Sequence, residues 1–279
     1  MALPPYMTAS EKVSYYGLRI FVGLVLLFLI SPILAIMPLS FNSETFFSYP
    51  MPGLSMRWYT GGVDGFFTDP RWTGALKLSL FVAFATTVLA TCLGTLAALG
   101  LSRSNIPGRA AIMAVLISPM IVPVIISAIG LFFFYAYTNL NGTLVGIILA
   151  HTALATPFVV ITVTATLMSF DRTLMRAGAS LGGPPHTVFF KVVLPLILPG
   201  VISGALFAFV TSFDEVIVIL FIGGPEQRTL PRQMFAGIRE QISPTITAAA
   251  SVLIVFSTVM LVTVELLRRR GERLRGIRS

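Results

Sequence analysis

The chain has 279 residues, of which 56% are hydrophobic and 11% are charged, with a mean hydropathy of +0.90 and a net charge of +8. Soluble domains carry about 25% charged residues, so this composition excludes an ordinary soluble domain. It indicates a membrane protein with several spans, and too few residues remain for a large domain outside the membrane.

Six apolar segments are long enough to cross a hydrocarbon layer, which takes about 20 helical residues. They cover approximately residues 17–40, 74–101, 110–136, 143–168, 193–222 and 246–267. The first apolar run, residues 20–39, is longer than the core of about 7–15 residues in a cleaved signal peptide, so we interpret it as a retained signal anchor. The predicted fold class is all-α: a polytopic membrane protein with six transmembrane helices.

The distribution of charge predicts the orientation. Six spans place both termini on one side, and most basic residues fall on that side, so the positive-inside rule places both termini in the cytoplasm. The predicted divisions are a cytoplasmic N-terminus at 1–16, a membrane domain at 17–267 and a basic cytoplasmic tail at 268–279. We interpret the tail as a lipid anchor rather than a nucleic-acid-binding segment. The basic residues assigned to the cytoplasm are Lys12, Arg19, Arg103, Arg109, Arg172, Arg176, Lys191, Arg268, Arg269, Arg270, Arg273, Arg275 and Arg278.

Several prolines interrupt the predicted spans. A proline removes a backbone donor and kinks a helix, and such breaks persist in a membrane where neighbours or a water-lined cavity satisfy the freed groups. Bent helices around a cavity indicate a transport path rather than a passive anchor. The prolines are Pro119, Pro123, Pro157, Pro195 and Pro199.

Between the fourth and fifth spans lies a polar segment, residues 169–192, that can form two short helices. Asp171 suits the cap of a first helix over residues 173–181. Gly182-Gly183 ends that helix, because glycine adopts positive φ at little cost. Pro184-Pro185 suits the start of a second helix, which leads into the fifth span.

This segment resembles the cytoplasmic loop of the permease subunits of type I ATP-binding-cassette (ABC) importers. The family pattern is Glu-Ala-Ala, three residues, Gly, and then a hydrophobic stretch that ends in Leu-Pro. Here Arg176-Ala177-Gly178 takes the place of Glu-Ala-Ala, Gly182 is the glycine, and Leu194-Pro195 ends the stretch. The spacing is kept, but Arg176 replaces the usual acid.

The resemblance implies the type I ABC importer permease fold in a bacterial inner membrane. It also implies a sister permease, two cytoplasmic ATP-binding subunits and a periplasmic solute-binding protein. The resemblance does not decide whether the two permeases of the channel are different chains or two copies of this one. The chain lacks a G-x-x-x-x-G-K-[ST] phosphate loop, so we expect it to be no enzyme and to bind no cofactor, with ATP and Mg²⁺ used by the partner ATPase. The residues expected to couple to that ATPase are Arg176, Ala177, Gly178, Leu181, Gly182, His186 and Phe189.

Two later segments resemble the second permease of spermidine/putrescine importers: residues 213–222 and residues 229–245. This resemblance implies a small cationic solute, with a polyamine as the first choice. Opines or amino-acid-derived solutes are the alternative, because this branch of the family also includes importers of other small solutes.

Asp214 and Glu215 are the acidic pair inside a predicted span. A carboxylate in the membrane is costly unless it faces water, a partner or a cation, and aromatic faces such as those of Phe209 and Phe213 also attract ammonium groups. One hypothesis is that these four residues line the substrate path. The other is structural: Asp214 caps a restarted helix, or either acid pairs with an arginine, the candidates being Arg228, Arg232 and Arg239.

Other function classes find less support in the sequence. His151 in the fourth span is expected to hydrogen-bond a neighbouring helix, and no second ligand stands at metal-binding spacing, so no metal site is predicted. An intramembrane enzyme would need a nucleophile–base or metal constellation. A stand-alone secondary transporter often shows inverted repeats, and none is apparent.

Overall fold

The computed structural model describes residues 8–48, 50–102, 106–168, 170–171, 173–240 and 242–274, and only the backbone of residues 9, 240, 264 and 267–274. Within these ranges the chain is helical and forms no strand, as predicted. Ser169 and Arg172 of the predicted coupling segment, and the side chains of the predicted basic tail 268–279, lie outside the described part.

Twelve α-helices are described, and the eighth continues through a π-helical turn, Phe189–Val193, into the ninth. Their bounds are α1 Ala9–Leu39, α2 Arg57–Thr60, α3 Pro70–Leu101, α4 Arg109–Ile121, α5 Val124–Thr138, α6 Leu144–Met168, α7 Thr173–Ser180, α8 Pro185–Val188, α9 Leu194–Phe213, α10 Ile217–Ile222, α11 Leu230–Glu240 and α12 Pro244–Leu274.

Five of the described helices are long and apolar enough to cross a membrane, and a bent pair raises the number to six. That pair corrects the predicted third span at 110–136. Instead of one helix, α4 and α5 meet at 104° around Val122 and Pro123. Pro123 lacks an amide hydrogen and disfavours helical backbone at the residue before it, which is why α4 ends here.

The predicted fifth span at 193–222 is also interrupted. Helix α9 ends at Phe213, and α10 starts only at Ile217, so Asp214, Glu215 and Val216 form a break. The acidic pair therefore lies between two helices and not on the side of a continuous one.

The first of two structural units comprises Met1–Thr68 and Gln241–Leu253. Its apolar helix α1 has no buried residue across its most hydrophobic window, so its surface is available to lipid. The loop after α1 is held by side chains: Trp58 Nε1 donates to the Asn42 carbonyl at 2.6 Å, and the Ser40 and Tyr59 hydroxyls are 2.7 Å apart.

The second unit comprises Asp69–Glu240 and Ile254–Ser279, and its core is built by α3, α6 and α9. Glycines bring these helices close together: a Cβ on Gly94 of α3 would lie 2.7 Å from Val159 Cβ, and one on Gly204 of α9 would lie 2.9 Å from Val159 Cα. Close backbone approach at small residues is how membrane helices gain packing energy without a hydrophobic driving force.

Candidate coupling and translocation sites

The segment between α6 and α9 forms the two helices that the sequence predicts. Asp171 Oδ1 accepts the Thr173 amide at 2.9 Å and caps α7, and this hydrogen bond lowers the pKa of the Asp171 carboxyl. The chain then reverses at Gly182, whose φ of +79° is in the left-handed region that favours glycine. Local capping and turn chemistry thus shape this segment, which we call the insert (residues 170–193).

A groove of about 580 Å³ runs between the insert and the ends of α3 and α6. Arg176 and Phe189 of the predicted coupling residues line it, and so do Leu99 of α3 and Leu167 of α6. Its wall is mostly apolar. Phe170 and Phe189 of the insert pack against the buried cluster that α3, α6 and α9 share, so the insert reaches these helices through the two aromatic side chains.

The remaining predicted coupling residues lie on the outer surface of the insert or in its turn. Leu181 is 90% exposed, and Ala177 and His186 are also exposed. Gly178 faces Val188, where an added Cβ would lie 3.2 Å from Cγ2. Other apolar side chains of the insert are exposed as well: Leu174, Met175 and Phe190. Several exposed apolar side chains on one short segment are a feature that contact with another protein would explain.

At the other end of α9, the two acids of the break differ in their environment. Glu215 is half-buried, and its Oε1 accepts the Val218 amide at 2.9 Å, which caps α10. Asp214 is exposed; its amide donates to the Val210 carbonyl at 3.0 Å, but its carboxylate forms no hydrogen bond or ion pair with any described residue. The cap that the structural hypothesis assigned to Asp214 thus belongs to Glu215, and Asp214 is free to meet a ligand.

The aromatic residues beside the break form a cluster of three rings. Phe209 and Phe213 stack at 5.6 Å between centroids, and Phe256 of α12 lies 6.1 Å and 5.2 Å from them. The contact between Phe209 and Phe213 was predictable from the sequence, because residues four apart lie one turn apart on the same face of a helix. No sequence signal indicated Phe256, because its approach depends on how α12 packs in this unit.

The predicted hydrogen bond of His151 to a neighbouring helix is confirmed. Its Nδ1 lies 2.9 Å from Ser212 Oγ on α9, and both side chains are buried. The Nε2 atom is buried without a partner among the described residues. This polar link fixes the end of α9 to α6 immediately before the break.

We expect Ser212→Ala to destabilise the protein by about 1–3 kcal/mol, because both ring nitrogens of His151 would then be buried without a partner. Thermal unfolding in detergent measures this as a lower Tm. The control is Ser118→Ala, whose hydroxyl donates only to Val115 within its own helix. An equal Tm for Ser212→Ala and wild type would show that the link contributes nothing to stability.

The predicted arginine partners of the acidic pair make other contacts. Arg232 Nη1 donates to the carbonyls of Gly224 and Gln227, and among the described residues neither Asp214 nor Glu215 forms an ion pair with Arg228, Arg232 or Arg239. The three arginines instead line a separate pocket beside Phe235.

The chain combines a bundle of apolar helices, a break that carries two acids and an exposed insert. This combination is typical of a membrane subunit of a transport system. Residues 90–273 match the family described as binding-protein-dependent transport system inner membrane component. The chain belongs to this family, and it is a permease subunit of a multi-pass inner-membrane transporter.

Relatives in this family are about 30% identical to this chain over most of its length. The spermidine/putrescine transport system permease protein PotC of Haemophilus influenzae is 30% identical over 252 residues, covering 90% of this chain and 96% of PotC. The putrescine transport system permease protein PotI of Escherichia coli is 32% identical over 234 residues, covering 81% of this chain and 82% of PotI.

Solved structures share the fold. A chain of a bacterial ABC transporter involved in the import of the acidic polysaccharide alginate superposes with a TM-score of 0.72 at 16% identity, covering 95% of this chain and 99% of that one. A chain of the methionine ABC transporter MetNI gives a TM-score of 0.57 at 18% identity, covering 71% and 95%. These matches support the predicted ABC importer permease fold.

Proposed function

We propose that this chain forms half of the translocation channel of an ATP-driven importer for a small cationic solute, and that a polyamine is that solute. Both termini lie in the cytoplasm, and the insert docks onto a cytoplasmic ATPase. A sister permease completes the channel, two ATP-binding subunits hydrolyse ATP with Mg²⁺, and a periplasmic solute-binding protein delivers the solute.

The exposed insert is the observation that carries this proposal. It presents Leu181 to the outside of the molecule while Arg176 and Phe189 line the groove against α3 and α6. A partner that moves the insert as a rigid body would move those helices with it, and rigid-body motion of packed helices is a common route of switching. ATP hydrolysis in the partner would thereby open the channel alternately to each side.

The polyamine assignment is supported by the break between α9 and α10 and by the names of the relatives. Asp214 is exposed and unpaired among the described residues, and it directly follows Phe213 of the three-ring cluster. Carboxylates and aromatic faces both attract ammonium groups. Opines or amino-acid-derived cations share this chemistry and are the alternative solutes.

The test of the proposal is purification of this chain from its native membrane in mild detergent. We expect an ATP-binding subunit and a second permease to co-purify, and the complex to hydrolyse ATP faster when spermidine-loaded binding protein is added. Solute uptake by the chain alone in liposomes, driven by an ion gradient, would instead support a secondary transporter.

We expect Leu181→Asp to reduce retention of the ATPase at least tenfold, because a charge replaces an apolar side chain at the tip of the insert. Quantitative pull-down of the tagged permease measures the retained ATPase. Val63→Asp is the matched control, since Val63 is 82% exposed in the predicted outer loop. Full ATPase retention by Leu181→Asp would remove Leu181 from the coupling contact.

A further inference from the structure

A basic pocket of about 400 Å³ lies at the end of α9 opposite to the insert. Its lining residues are Leu220, Arg228, Arg232, Phe235, Ala236 and Arg239. The insert precedes the first residue of α9, whereas α10 and α11 follow its last, so the pocket and the insert lie at opposite ends of that helix. With the insert in the cytoplasm, this pocket faces the periplasm.

Two of the three guanidinium groups of the pocket are hydrogen-bonded to the backbone between α10 and α11. Arg232 Nη1 donates to the carbonyls of Gly224 at 2.6 Å and Gln227 at 3.0 Å, and Arg228 Nε donates to the Pro225 carbonyl at 3.4 Å. Arg239 follows Arg232 by two turns, so both lie on one face of α11.

Helix α11 is itself anchored to the membrane helices. The amide of Leu230, its first residue, donates to Ser79 Oγ of α3 at 2.8 Å, and the Leu230 side chain is fully buried. The arginines therefore stand on a fixed platform, which lowers the entropy that a ligand must overcome on binding.

The positive charge of this pocket is not neutralised by any described side chain. No carboxylate lines the pocket among the described side chains, and none of its three arginines forms an ion pair there. Partial burial, and then the neighbouring charge of Arg228, lower the pKa of the Arg232 guanidinium. Holding like charges together costs free energy, and an anionic group bound between the arginines would reduce their repulsion.

We propose that this pocket receives acidic side chains of the periplasmic solute-binding protein. Arginine is the side chain best suited to a carboxylate, because its planar fork can donate two parallel hydrogen bonds. The exposed rings and chains of Phe235 and Leu220 offer an apolar contact beside these charges. The inference rests on the proposed function, which supplies both the partner and the periplasmic side.

A partner explains the pocket better than a free solute does. Three uncompensated arginines beside the mouth of a channel would repel an approaching polycation. Carboxylates of a docked binding protein would cancel that charge at the moment when the solute is released. Docking of the binding protein would then also lower the electrostatic barrier that the arginines present to the cationic solute.

The test uses the complete transporter in nanodiscs and the solute-binding protein that works with it. The variant is Arg228→Gln with Arg239→Gln, two exposed residues whose loss leaves the Arg232 hydrogen bonds intact. We expect its Kd for the binding protein at low salt to rise at least tenfold, and its Kd to depend less on salt than that of wild type. The control is Arg57→Gln, which removes one exposed arginine of the long predicted outer loop and is expected to leave the Kd unchanged.

An unchanged Kd and salt dependence in the double variant would overturn the inference. So would an equally large rise of the Kd in Arg57→Gln, because the loss of any exposed positive charge would then weaken binding and the pocket would have no special role. Both results leave the proposed function standing, since that function fails only if the wild-type chain retains no ATPase.

Discussion

Replacing Gly204 by valine is expected to lower the Tm of the purified protein by about 5–10 °C, corresponding to about 2–3 kcal/mol of lost stability. An added Cβ would lie 2.5 Å from Thr162 Oγ1 and 2.9 Å from Val159 Cα. The first neighbour can rotate, but the second is backbone of α6 and can yield only if the two helices separate. Thermal unfolding in detergent and the yield of folded protein measure the effect.

The matched control is Gly130→Val in α5. Gly130 is exposed and has no atom within 4 Å of an added Cβ, so this variant changes helix propensity without a clash. Its Tm is expected to stay close to that of wild type. An equal loss of Tm in both variants would attribute the effect to valine in a helix and not to the contact between α6 and α9.

Asp214→Asn is expected to slow spermidine uptake by about ten- to a hundredfold, which corresponds to the loss of a hydrogen bond to a charged group. The Asp214 carboxylate has no partner among the described residues, so replacing it should leave the Tm unchanged. Glu215→Gln should have a smaller effect, because the amide oxygen of glutamine can still accept the Val218 amide. Initial uptake rates in proteoliposomes that contain the complete transporter measure both.

Asp64→Asn is the control for Asp214→Asn, because it removes the same charge from an exposed residue of the predicted outer loop. Its uptake rate is expected to equal that of wild type. If Asp214→Asn and Glu215→Gln both import cationic and neutral solutes at the wild-type rate, the substrate-path hypothesis for these acids is wrong.

The insert was predictable because each of its signals is local. Asp171 caps its helix through an amide two residues away, and Gly182 ends the helix through its own φ. The hydropathy of the spans was less informative about their continuity. A window average counts apolar residues, so it could not distinguish one helix from α4 and α5 meeting at 104°, or locate the break after Phe213.

The sequence by itself determined the class of protein, the approximate positions of its spans and the two-helix insert, because composition, hydropathy and capping are properties of contiguous residues. Only the tertiary structure brought His151 to Ser212, 61 residues away, and Phe256 to the aromatic residues beside the break. It also separated Asp214 from the arginines and gathered those arginines in a pocket of their own. These pairings depend on the rotation and depth at which helices pack, and no local pattern of residues specifies either.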